Sequence, residues 1–400
     1  MINAQKIYII GAGISGLVAA IELEKKGYAP IILEQTNSIG GRVKTDEVDG
    51  VFYDHGFQVI LTQYPAVKNY INLNTLNLTY FLPGAVVYYN GKAHLFGDPI
   101  RNASFLIPTI FSPLGTLKDK WKIFTLANKL KRKSIDEIFE TSAISTLAYL
   151  KQYGFSNKII ELFFKPFYTG IFLEPYLQTS SRMFEFIFKM FAEGKAALPK
   201  KGIQAVAHQL QNKLKNTQIL FNQTVTKIEN NIIFLETNNN IEANKIIIAT
   251  APTFKVNNVQ LPTPTFKSCT NLYFECSHNA LPKPIIGLIA NTEALINNIF
   301  FLPNTNIVSV TLVKPHNASN INNLADIVKQ ELKKHCNIDA INFLKYYHIK
   351  NALPVNYNVA YQANSKNSIL SSNIFLAGDY LANGSLNAAM LNGKKAAENL

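Results

Sequence analysis

Residues 6–42 read KIYIIGAGISGLVAAIELEKKGYAPIILEQTNSIGGR. The β-branched run Lys6–Ile10 is typical of a strand that is buried on both faces of a parallel sheet, and Ile31–Leu33 predicts a second strand. Between them, Ile14–Lys26 has apolar residues at helical spacing, and Gly27 suits a left-handed helix cap. The stretch therefore predicts a strand, a glycine turn, a helix and a second strand, in that order.

The turn in this unit has the residues that a dinucleotide site needs. Gly11, Gly13 and Gly16 have GxGxxG spacing, which allows a tight turn, close approach of a pyrophosphate and close packing of helix on strand. The amides and dipole at the start of the helix, next to Ile14 and Ser15, stabilise an anion. Glu34, followed by Gln35, is placed to accept hydrogen bonds from ribose hydroxyls. A glycine turn without a nucleotide is the alternative, and the position of Glu34 argues against it.

A second glycine pair separates FAD from NAD as the predicted ligand. Ser38–Arg42 resembles the GG-R motif of the amine oxidase, phytoene desaturase and protoporphyrinogen oxidase superfamily of flavoenzymes. The resemblance implies that Gly40, Gly41 and Arg42 lie along the FAD pyrophosphate, whose geometry a guanidinium matches. Asp54–Gln58 resembles the D-x-G element of that family, which implies that His55, Gly56 and Phe57 pass near the flavin ring. A surface turn with a solvated arginine is the alternative for Ser38–Arg42.

Two later segments also resemble cofactor-binding parts of this superfamily. The resemblance implies that the strand backbone around Val225 faces the adenine, and that Ile246–Pro252 leads out of the nucleotide domain through Ala251 and Pro252. Ile374–Ala377 predicts a buried strand that ends at Gly378 and Asp379, with the aspartate near the ribityl and pyrophosphate side. The helix that follows, which includes Leu386, Asn387 and Ala388, is expected to point its amino end at the flavin, where charge develops on reduction.

The resemblance also implies the fold class and its division. We expect an α/β protein in which a Rossmann-like FAD-binding domain of the GR2 flavoprotein type is interleaved with an α+β substrate domain. The FAD-binding domain would comprise residues 1–60, 200–255 and 370–400, and the substrate domain residues 61–199 and 256–369. A chain of 400 residues exceeds what one core usually holds, in agreement with two domains.

Composition narrows the class of protein. Apolar residues make up 48% of the sequence and charged residues 16%, which is typical of a globular protein. Met1–Gln5 is polar, so no signal peptide is expected, and no apolar run reaches the roughly 18 residues that span a bilayer. The three cysteines lack metal-ligand spacing, the histidines are scattered, and buried thiols are expected. We therefore expect a cytoplasmic protein, soluble or peripherally bound to a membrane, without a metal.

The formal net charge of +13 raises the question of an anionic partner, either a nucleic acid or a membrane surface. No helix-turn-helix, zinc or RNP-type motif accompanies the charge, so nucleic acid is not expected. Residues 117–133 combine seven basic side chains with Leu117, Trp121 and Phe124 at helical spacing. Such a basic amphipathic helix is typical of segments that bind an anionic membrane surface. An ordinary exposed helix of a lysine-rich protein is the alternative.

Residues 165–191 are rich in aromatic side chains. Arg182–Phe191 is apolar on most of its helical surface, and Glu185, Lys189 and Glu193 form its charged stripe. Such a helix either packs in the core or lines a cavity for an apolar or aromatic substrate.

The resemblance to this superfamily implies an FAD-dependent oxidoreductase, acting as a dehydrogenase, desaturase or oxidase on C–C or C–N bonds. It would transfer a hydride from a bulky, largely apolar small-molecule substrate to flavin N5. His55 is the candidate general base, and a structural role is its alternative. Family members that oxidise amines hold a lysine near N5, for which Lys267 is the candidate. Amine oxidation, a non-catalytic flavin-binding module and a redox-neutral flavin mutase are the other functions considered.

Overall fold

The computed structural model describes residues 5–257, 259, 261, 263–316, 320–356 and 358–400, so the predicted polar segment Met1–Gln5 lies outside them except for Gln5. The first stretch forms the expected unit and continues into short strands: β1 (Ile7–Ile10), α1 (Ile14–Lys25), β2 (Ile31–Leu33), β3 (Thr45–Val48), β4 (Val51–Asp54) and β5 (Ile60–Leu61). α1 ends one residue before the predicted Lys26, because the Lys26 and Gly27 amides turn back to carbonyls of the last helical turn. Gly27 has a φ of +84°, which agrees with the left-handed helix cap predicted for it.

The next segment begins with a hairpin and becomes mainly helical. The hairpin turns at Asn90 and Gly91, which both have positive φ. The elements of this whole segment are α2 (Pro65–Tyr70), β6 (Leu78–Tyr80), β7 (Gly84–Tyr89), β8 (Lys92–Gly97), α3 (Leu106–Phe111), α4 (Leu117–Arg132), α5 (Ile135–Glu140), α6 (Thr146–Gln152), α7 (Asn157–Ile159), α8 (Lys165–Phe172) and α9 (Ser181–Glu193). One π-helical turn, Ile160–Phe164, joins α7 to α8.

The chain then returns to the sheet that contains β1 and β2, leaves it again and adds one last strand to it. The return elements are β9 (Ala196–Pro199), α10 (Ala205–Gln211), β10 (Gln218–Leu220), β11 (Val225–Glu229), β12 (Ile232–Leu235), β13 (Asn240–Glu242), β14 (Lys245–Ile248) and β15 (Lys255–Val256). The rest comprises β16 (Phe266–Cys276), β17 (Ile286–Ile289), β18 (Ile296–Phe301), β19 (Ile307–Leu312), α11 (Ile321–Cys336), β20 (Ala340–Pro354), α12 (Ser365–Ser368), β21 (Ile374–Leu376) and α13 (Leu386–Glu398).

The central sheet has five parallel strands in the order β10-β2-β1-β14-β21. In the middle strand, Ile9 lies opposite Ile32 on one side and Ile247 on the other, and all four residues of β1 are buried. Because the strands are parallel, the turns after β1, β2, β14 and β21 meet at one edge of the sheet. Segments far apart in sequence therefore contribute to one site.

A second sheet of seven strands has the order β20-β16-β19-β18-β17-β7-β8. The hairpin β7-β8 joins it through parallel pairing of β7 with β17, with Ala85 opposite Ile286. Residues from 61–199 and from 256–369 thus share one sheet. The predicted domain boundary between residues 60 and 61 falls inside β5, and the domain limits stay a prediction.

The first and last helices pack closely. The Ser15 hydroxyl in α1 donates to the Ala389 carbonyl of α13 at 2.8 Å. A Cβ at Gly393 would lie 2.3 Å from the Ser15 carbonyl oxygen, so only glycine allows this approach. The contact brings the amino end of α13 beside the glycine turn.

Candidate functional site

A cavity of about 710 Å³ lies at the carboxyl edge of the central sheet; we call it the small cavity. Gly16, Asn387 and Ala388, which the sequence placed at the cofactor, do not line it. It is lined by the other residues predicted to bind FAD: Gly11, Gly13, Ile14, Ser15, Glu34, Gln35, Gly40, Gly41, Arg42, His55, Gly56, Phe57, Val225, Ala251, Pro252, Gly378, Asp379 and Leu386.

The three glycines of the turn have different surroundings. A Cβ at Gly16 would lie 2.0 Å from the Gly11 carbonyl oxygen, so this glycine lets α1 approach β1 without facing the cavity. A Cβ at Gly13 would meet nothing within 4 Å, which leaves open space for a ligand. Gly13 is also the N-cap of α1 and has no side chain to satisfy the first amides. Space and free donors thus coincide where a pyrophosphate would bind.

The second glycine pair lies directly against this turn. The Gly40 amide donates to the Ala12 carbonyl at 2.9 Å, and a Cβ at Gly41 would lie 3.4 Å from the Gly13 Cα. The two glycine motifs therefore form one continuous wall of the small cavity.

Glu34 is buried and holds the turn as well as facing the cavity. Its Oε2 accepts a hydrogen bond from the Ala12 amide at 2.7 Å. Its Oε1 accepts from the Thr36 amide at 2.9 Å and from the Thr36 hydroxyl at 2.8 Å. A carboxylate offers about four acceptor positions, so about one remains for a ribose hydroxyl. The link to Ala12 was not predicted from the sequence.

Arg42 and Asp379 join the first and last motifs. Arg42 Nη1 donates to Asp379 Oδ2 at 2.9 Å, and Nη2 donates to Oδ1. The aspartate is 6% exposed, whereas the arginine is 39% exposed. Since a guanidinium has five donors, Arg42 retains donors that can face a phosphate.

His55 lines the small cavity and is held by an acidic and an aromatic neighbour. Its Nε2 lies 3.1 Å from Asp46 Oδ1, and its ring stacks on Tyr347 with centroids 4.1 Å apart. Tyr347 in turn donates its hydroxyl to Asp46 Oδ2 at 2.8 Å. Burial raises the pKa of the Asp46 carboxyl, but the hydrogen bonds from Tyr347 and His55 outweigh it, so this pKa is lowered. The role of His55 as a base stays a prediction.

The amino end of α13 differs from the expectation in detail. The Ser385 hydroxyl accepts a hydrogen bond from the Ala388 amide at 3.0 Å, so a side chain already caps this helix. The Asn387 Oδ1 accepts from the Ala66 amide at 3.0 Å, which fixes that side chain away from the small cavity. Leu386 and Ala389 line the cavity instead.

A larger cavity of about 1170 Å³, which we call the large cavity, adjoins the small cavity. Its lining is mostly apolar, and α9 contributes side chains to it. Phe184 and Phe186 of α9 are in the core, whereas Phe188 and Phe191 line the large cavity. The aromatic residues that line the large cavity are Phe57, Tyr64, Phe81, Phe96, Trp121, Phe124, Phe163, Phe164, Phe167, Tyr168, Phe172, Tyr176, Phe188 and Phe191.

The two cavities share a wall, and this shared wall is where a ligand in one would contact a ligand in the other. It is built by residues from the D-x-G element, α8, β18, the end of β20 and the start of α13. The residues that line both cavities are Phe57, Gln58, Val59, Gly170, Ile171, Asn298, Leu353, Gly384, Ser385 and Leu386.

Asn298 is a buried polar residue of the shared wall that the sequence analysis missed. Its Nδ2 donates to the Thr311 hydroxyl at 3.4 Å, and its Oδ1 accepts from Asn297 Nδ2 at 3.0 Å. Thr311 continues the network to Asn271, at 3.0 Å. A Cβ at Gly170 would lie 3.1 Å from Asn298 Oδ1, so that glycine gives the amide room. Two adjacent asparagines inside an otherwise apolar strand are the signal that could have found it.

Lys267, the candidate lysine, lines the large cavity but not the small one. Its Nζ donates to the Phe172 carbonyl at 2.8 Å and to the Thr179 hydroxyl at 3.3 Å. Burial lowers the pKa of this ammonium, and the Glu174 carboxylate offsets part of the effect.

The charged stripe of α9 is not on a solvated face. Glu185 and Lys189 are buried, because α4 covers them. Lys133 Nζ lies 2.7 Å from Glu185 Oε2. Lys189 Nζ donates to the Leu130 and Lys131 carbonyls at 3.0 Å each and to Glu193 Oε1 at 2.6 Å. These contacts fix the carboxyl end of α4 beside the large cavity.

The three cysteines are free and buried, as expected for structural thiols. Within the described ranges, no group of three or more His, Cys, Asp or Glu side chains could hold a metal ion. In that same part of the chain, no helix combines the length and the apolar character needed to cross a membrane.

Comparison with known proteins adds a family to this geometry. A sequence model described as flavin containing amine oxidoreductase matches residues 14–268. Protoporphyrinogen oxidase 2, chloroplastic/mitochondrial, of Arabidopsis thaliana is 22% identical over 171 residues, which cover 42% of this chain and 33% of that protein. 4,4'-Diaponeurosporene oxygenase of Staphylococcus aureus is 40% identical over 58 residues, which cover 14% of this chain and 12% of that protein. These matches thus cover about a third or less of the relatives' lengths.

The solved structure of an oxidoreductase from Methanosarcina mazei superimposes with a TM-score of 0.74 at 16% identity. The superposition covers 98% of this chain and 100% of that chain. At this identity the likeness shows the fold alone, which is a mixed α/β fold.

Proposed function

Because the chain belongs to the flavin containing amine oxidoreductase family, with FAD as the cofactor, we propose that it transfers a hydride from a bulky, largely apolar substrate to flavin N5. The observation that carries the proposal is the wall shared by the two cavities. In such an arrangement, a dinucleotide in the small cavity can present one edge to a substrate in the large one. We also propose the Rossmann-like, GR2-type arrangement for the FAD-binding part, on the basis of the parallel central sheet.

The residues of the small cavity fit FAD in their chemistry. Open space at Gly13 and the uncapped start of α1 suit the pyrophosphate, and the spare donors of Arg42 suit its oxygens. Glu34 retains acceptor capacity for a ribose hydroxyl, and the backbone near Val225 suits the adenine. Bound there, FAD supplies the hydride acceptor.

The residues of the large cavity orient the substrate and exclude water. Its aromatic walls suit an extended apolar or aromatic molecule. Asn298 offers a polar contact at the shared wall. One of its two N–H donors is bonded to the Thr311 hydroxyl, and the other is left for a ligand. Asn298 therefore orients the reacting end of the substrate.

The charges on the large cavity favour a neutral or anionic substrate over a cationic amine. Four of its lining side chains are basic and two are acidic: Arg101, Lys120, Lys131 and Lys267 against Asp98 and Glu174. Lys267 is held by a carbonyl and a hydroxyl and does not line the small cavity. A protonated amine would therefore meet like charges, which is unfavourable.

The test is anaerobic bleaching of the flavin absorbance of the purified holoprotein by porphyrinogens, carotenoid precursors and amines. We expect bleaching by an apolar donor and none by small amines. Peroxide release with an amine would favour amine oxidation instead. FAD that stays oxidised with every donor, while a protein partner copurifies, would favour a binding module.

A pair of variants on α4 ties the chemistry to the large cavity. Ala127→Trp adds bulk to the lining and is expected to slow bleaching at least about tenfold with unchanged FAD content. Lys129→Trp puts the same side chain at an exposed position of the helix that does not line the cavity, and it should bleach at the normal rate. Equal rates for both variants would contradict the assignment of this cavity to the substrate.

A further inference from the structure

Exposed large apolar side chains are concentrated in one short part of the chain. Phe111 is 80% exposed, Ile107 68% and Trp121 64%. Soluble proteins seldom expose several such residues together unless they bind something. We call the following residues the apolar patch: Ile100, Leu106, Ile107, Ile110, Phe111, Leu117 and Trp121.

Most of the apolar patch also lines the large cavity. Five of its members are exposed and also line that cavity: Ile100, Leu106, Ile110, Leu117 and Trp121. One face of α4 supplies Leu117, Trp121 and Phe124 to the lining, at i, i+4 and i+7. Exposed apolar side chains of the patch are therefore continuous with the lining of the cavity.

The helix α4 also carries exposed cationic side chains. Lys118, Lys131 and Arg132 of α4 are exposed, and none of them has an ion pair within the described residues. Lys122 and Lys133, in contrast, are bound to the Gly154 carbonyl and to Glu185. These basic residues lie on the same helix as Leu117 and Trp121 of the apolar patch, in a protein of net charge +13.

The helix that carries these residues is anchored at both ends. Asp119 accepts from the Thr116 amide at 2.8 Å and from the Ser156 amide at 2.8 Å, which fixes the first turn. Lys133 and Lys189 bind the last turn to α9. α4 therefore presents its charged and apolar residues in fixed positions.

We propose that the apolar patch docks on an anionic lipid bilayer and that the large cavity opens into it. A tryptophan with neighbouring lysines suits the boundary between head groups and acyl chains. A second copy of the chain would bring the exposed cations of its own α4 against those of the first, which electrostatic repulsion disfavours. The proposed docking depends only on the exposed apolar and cationic side chains. Passage of the substrate from the bilayer into the cavity rests in addition on the proposed function.

Trp121 makes docking directly measurable, because it is the only tryptophan of the sequence. The FAD-loaded protein is mixed with vesicles of phosphatidylcholine alone or with a quarter of phosphatidylglycerol, and it is sedimented with them. We expect about tenfold stronger binding to the anionic vesicles, weakened by added salt, and a blue shift of the Trp121 emission. An unshifted emission or equal binding to both vesicles would overturn the proposal.

A double variant and a matched control locate the contact. Ile107→Ser with Phe111→Ser removes two exposed side chains and should lower vesicle binding at least about tenfold with unchanged FAD content. Ile341→Ser removes an apolar side chain that is 54% exposed on β20, away from the patch, and should bind normally. Normal vesicle binding by the double variant would overturn the proposal. A dimer of the natural protein, seen by light scattering and lost in the double variant, would also overturn it. Because vesicle binding needs no turnover, its failure is distinct from failure of the proposed chemistry.

Discussion

The Arg42 guanidinium makes a two-point ion pair with the Asp379 carboxylate across 337 positions of sequence. Replacing Arg42 with alanine would leave a buried carboxylate unpaired, which typically costs about 1–3 kcal/mol of unfolding free energy. It would also remove donors for the pyrophosphate, so we expect FAD affinity to fall at least about tenfold. Chemical unfolding of the apoprotein and FAD titration measure the two effects. Arg42→Ala with Asp379→Asn should recover stability but not affinity, and strictly additive losses in stability would contradict the coupling.

Gly13 and Gly16 separate ligand contact from packing. Gly13→Ala places a Cβ in open space, so we expect normal stability but FAD binding weakened at least about tenfold. Gly16→Ala forces a Cβ to 2.0 Å from the Gly11 carbonyl oxygen, and such overpacking typically costs about 1–3 kcal/mol. Thermal unfolding with and without FAD distinguishes them. The assignment of Gly13 fails if Gly13→Ala binds FAD normally.

Glu34 is expected to act on both the turn and the ribose. Glu34→Gln keeps the size of the side chain but replaces one acceptor oxygen with an NH2 donor, so the ribose hydroxyl, the Ala12 amide or both lose their acceptor. One lost hydrogen bond to a charged group is worth about 1.5–3 kcal/mol, or at least about tenfold in FAD dissociation constant. Titration by flavin fluorescence measures it, with Glu47→Gln on the exposed side of β3 as the control. Equal affinities for the two variants would exclude Glu34 from the site.

Asn298 is predicted to affect the chemistry and not the cofactor. Asn298→Ala removes the polar contact at the shared wall, so we expect anaerobic bleaching to slow at least about tenfold while the FAD content is unchanged. Stopped-flow absorbance measures the rate once a donor is known. Asn342→Ala, at an exposed asparagine of β20, is the matched control. A slowdown that appears only together with loss of FAD would mean that Asn298 supports the fold.

Asp54 is expected to make stability depend on pH. Burial raises the pKa of its carboxyl from 3.8 to about 6, despite hydrogen bonds from the Thr45 hydroxyl and the Ile203 amide. The folded protein therefore binds the proton more tightly than the unfolded chain. The resulting stabilisation is full below about pH 4 and is lost as the pH rises through about 6. Unfolding free energies measured from pH 4 to pH 8 test this.

Asp54→Asn should flatten that part of the pH dependence and be more stable than the natural protein at pH 8, since its Oδ1 still accepts both hydrogen bonds. Asp326→Asn, at an exposed position of α11, should leave the profile unchanged. A profile that is the same with and without Asp54 would refute the assignment.

The residues of the small cavity could be predicted from the sequence because their constraints are local. Gly11, Gly13 and Glu34 act through turn geometry, a helix start and the end of a strand, all of which have a fixed spacing. The first and last motifs lie side by side because the parallel strands that precede them end at the same edge of the sheet. Even there, the side chain of Asn387 and the Ser385 cap depend on packing that no spacing encodes.

The shared wall could not be predicted in the same way. Asn298, Thr311 and Asn271 lie on β18, β19 and β16, and their contact depends on a strand order that does not follow the sequence. The charged stripe of α9 likewise looks solvent-facing until α4 covers Glu185 and Lys189. Both features arise from long-range pairing, for which a single sequence gives no local signal.

The closure of the small cavity by Asp379 also bears on biosynthesis. A ribosome makes the glycine turn first, and hundreds of residues follow before Asp379 and α13 leave the exit tunnel. Until then the nascent chain offers only half of a cleft, with Arg42 lacking its carboxylate. The complete cleft can therefore form only after the last strand of the central sheet and Asp379, 337 positions after Arg42, have been made.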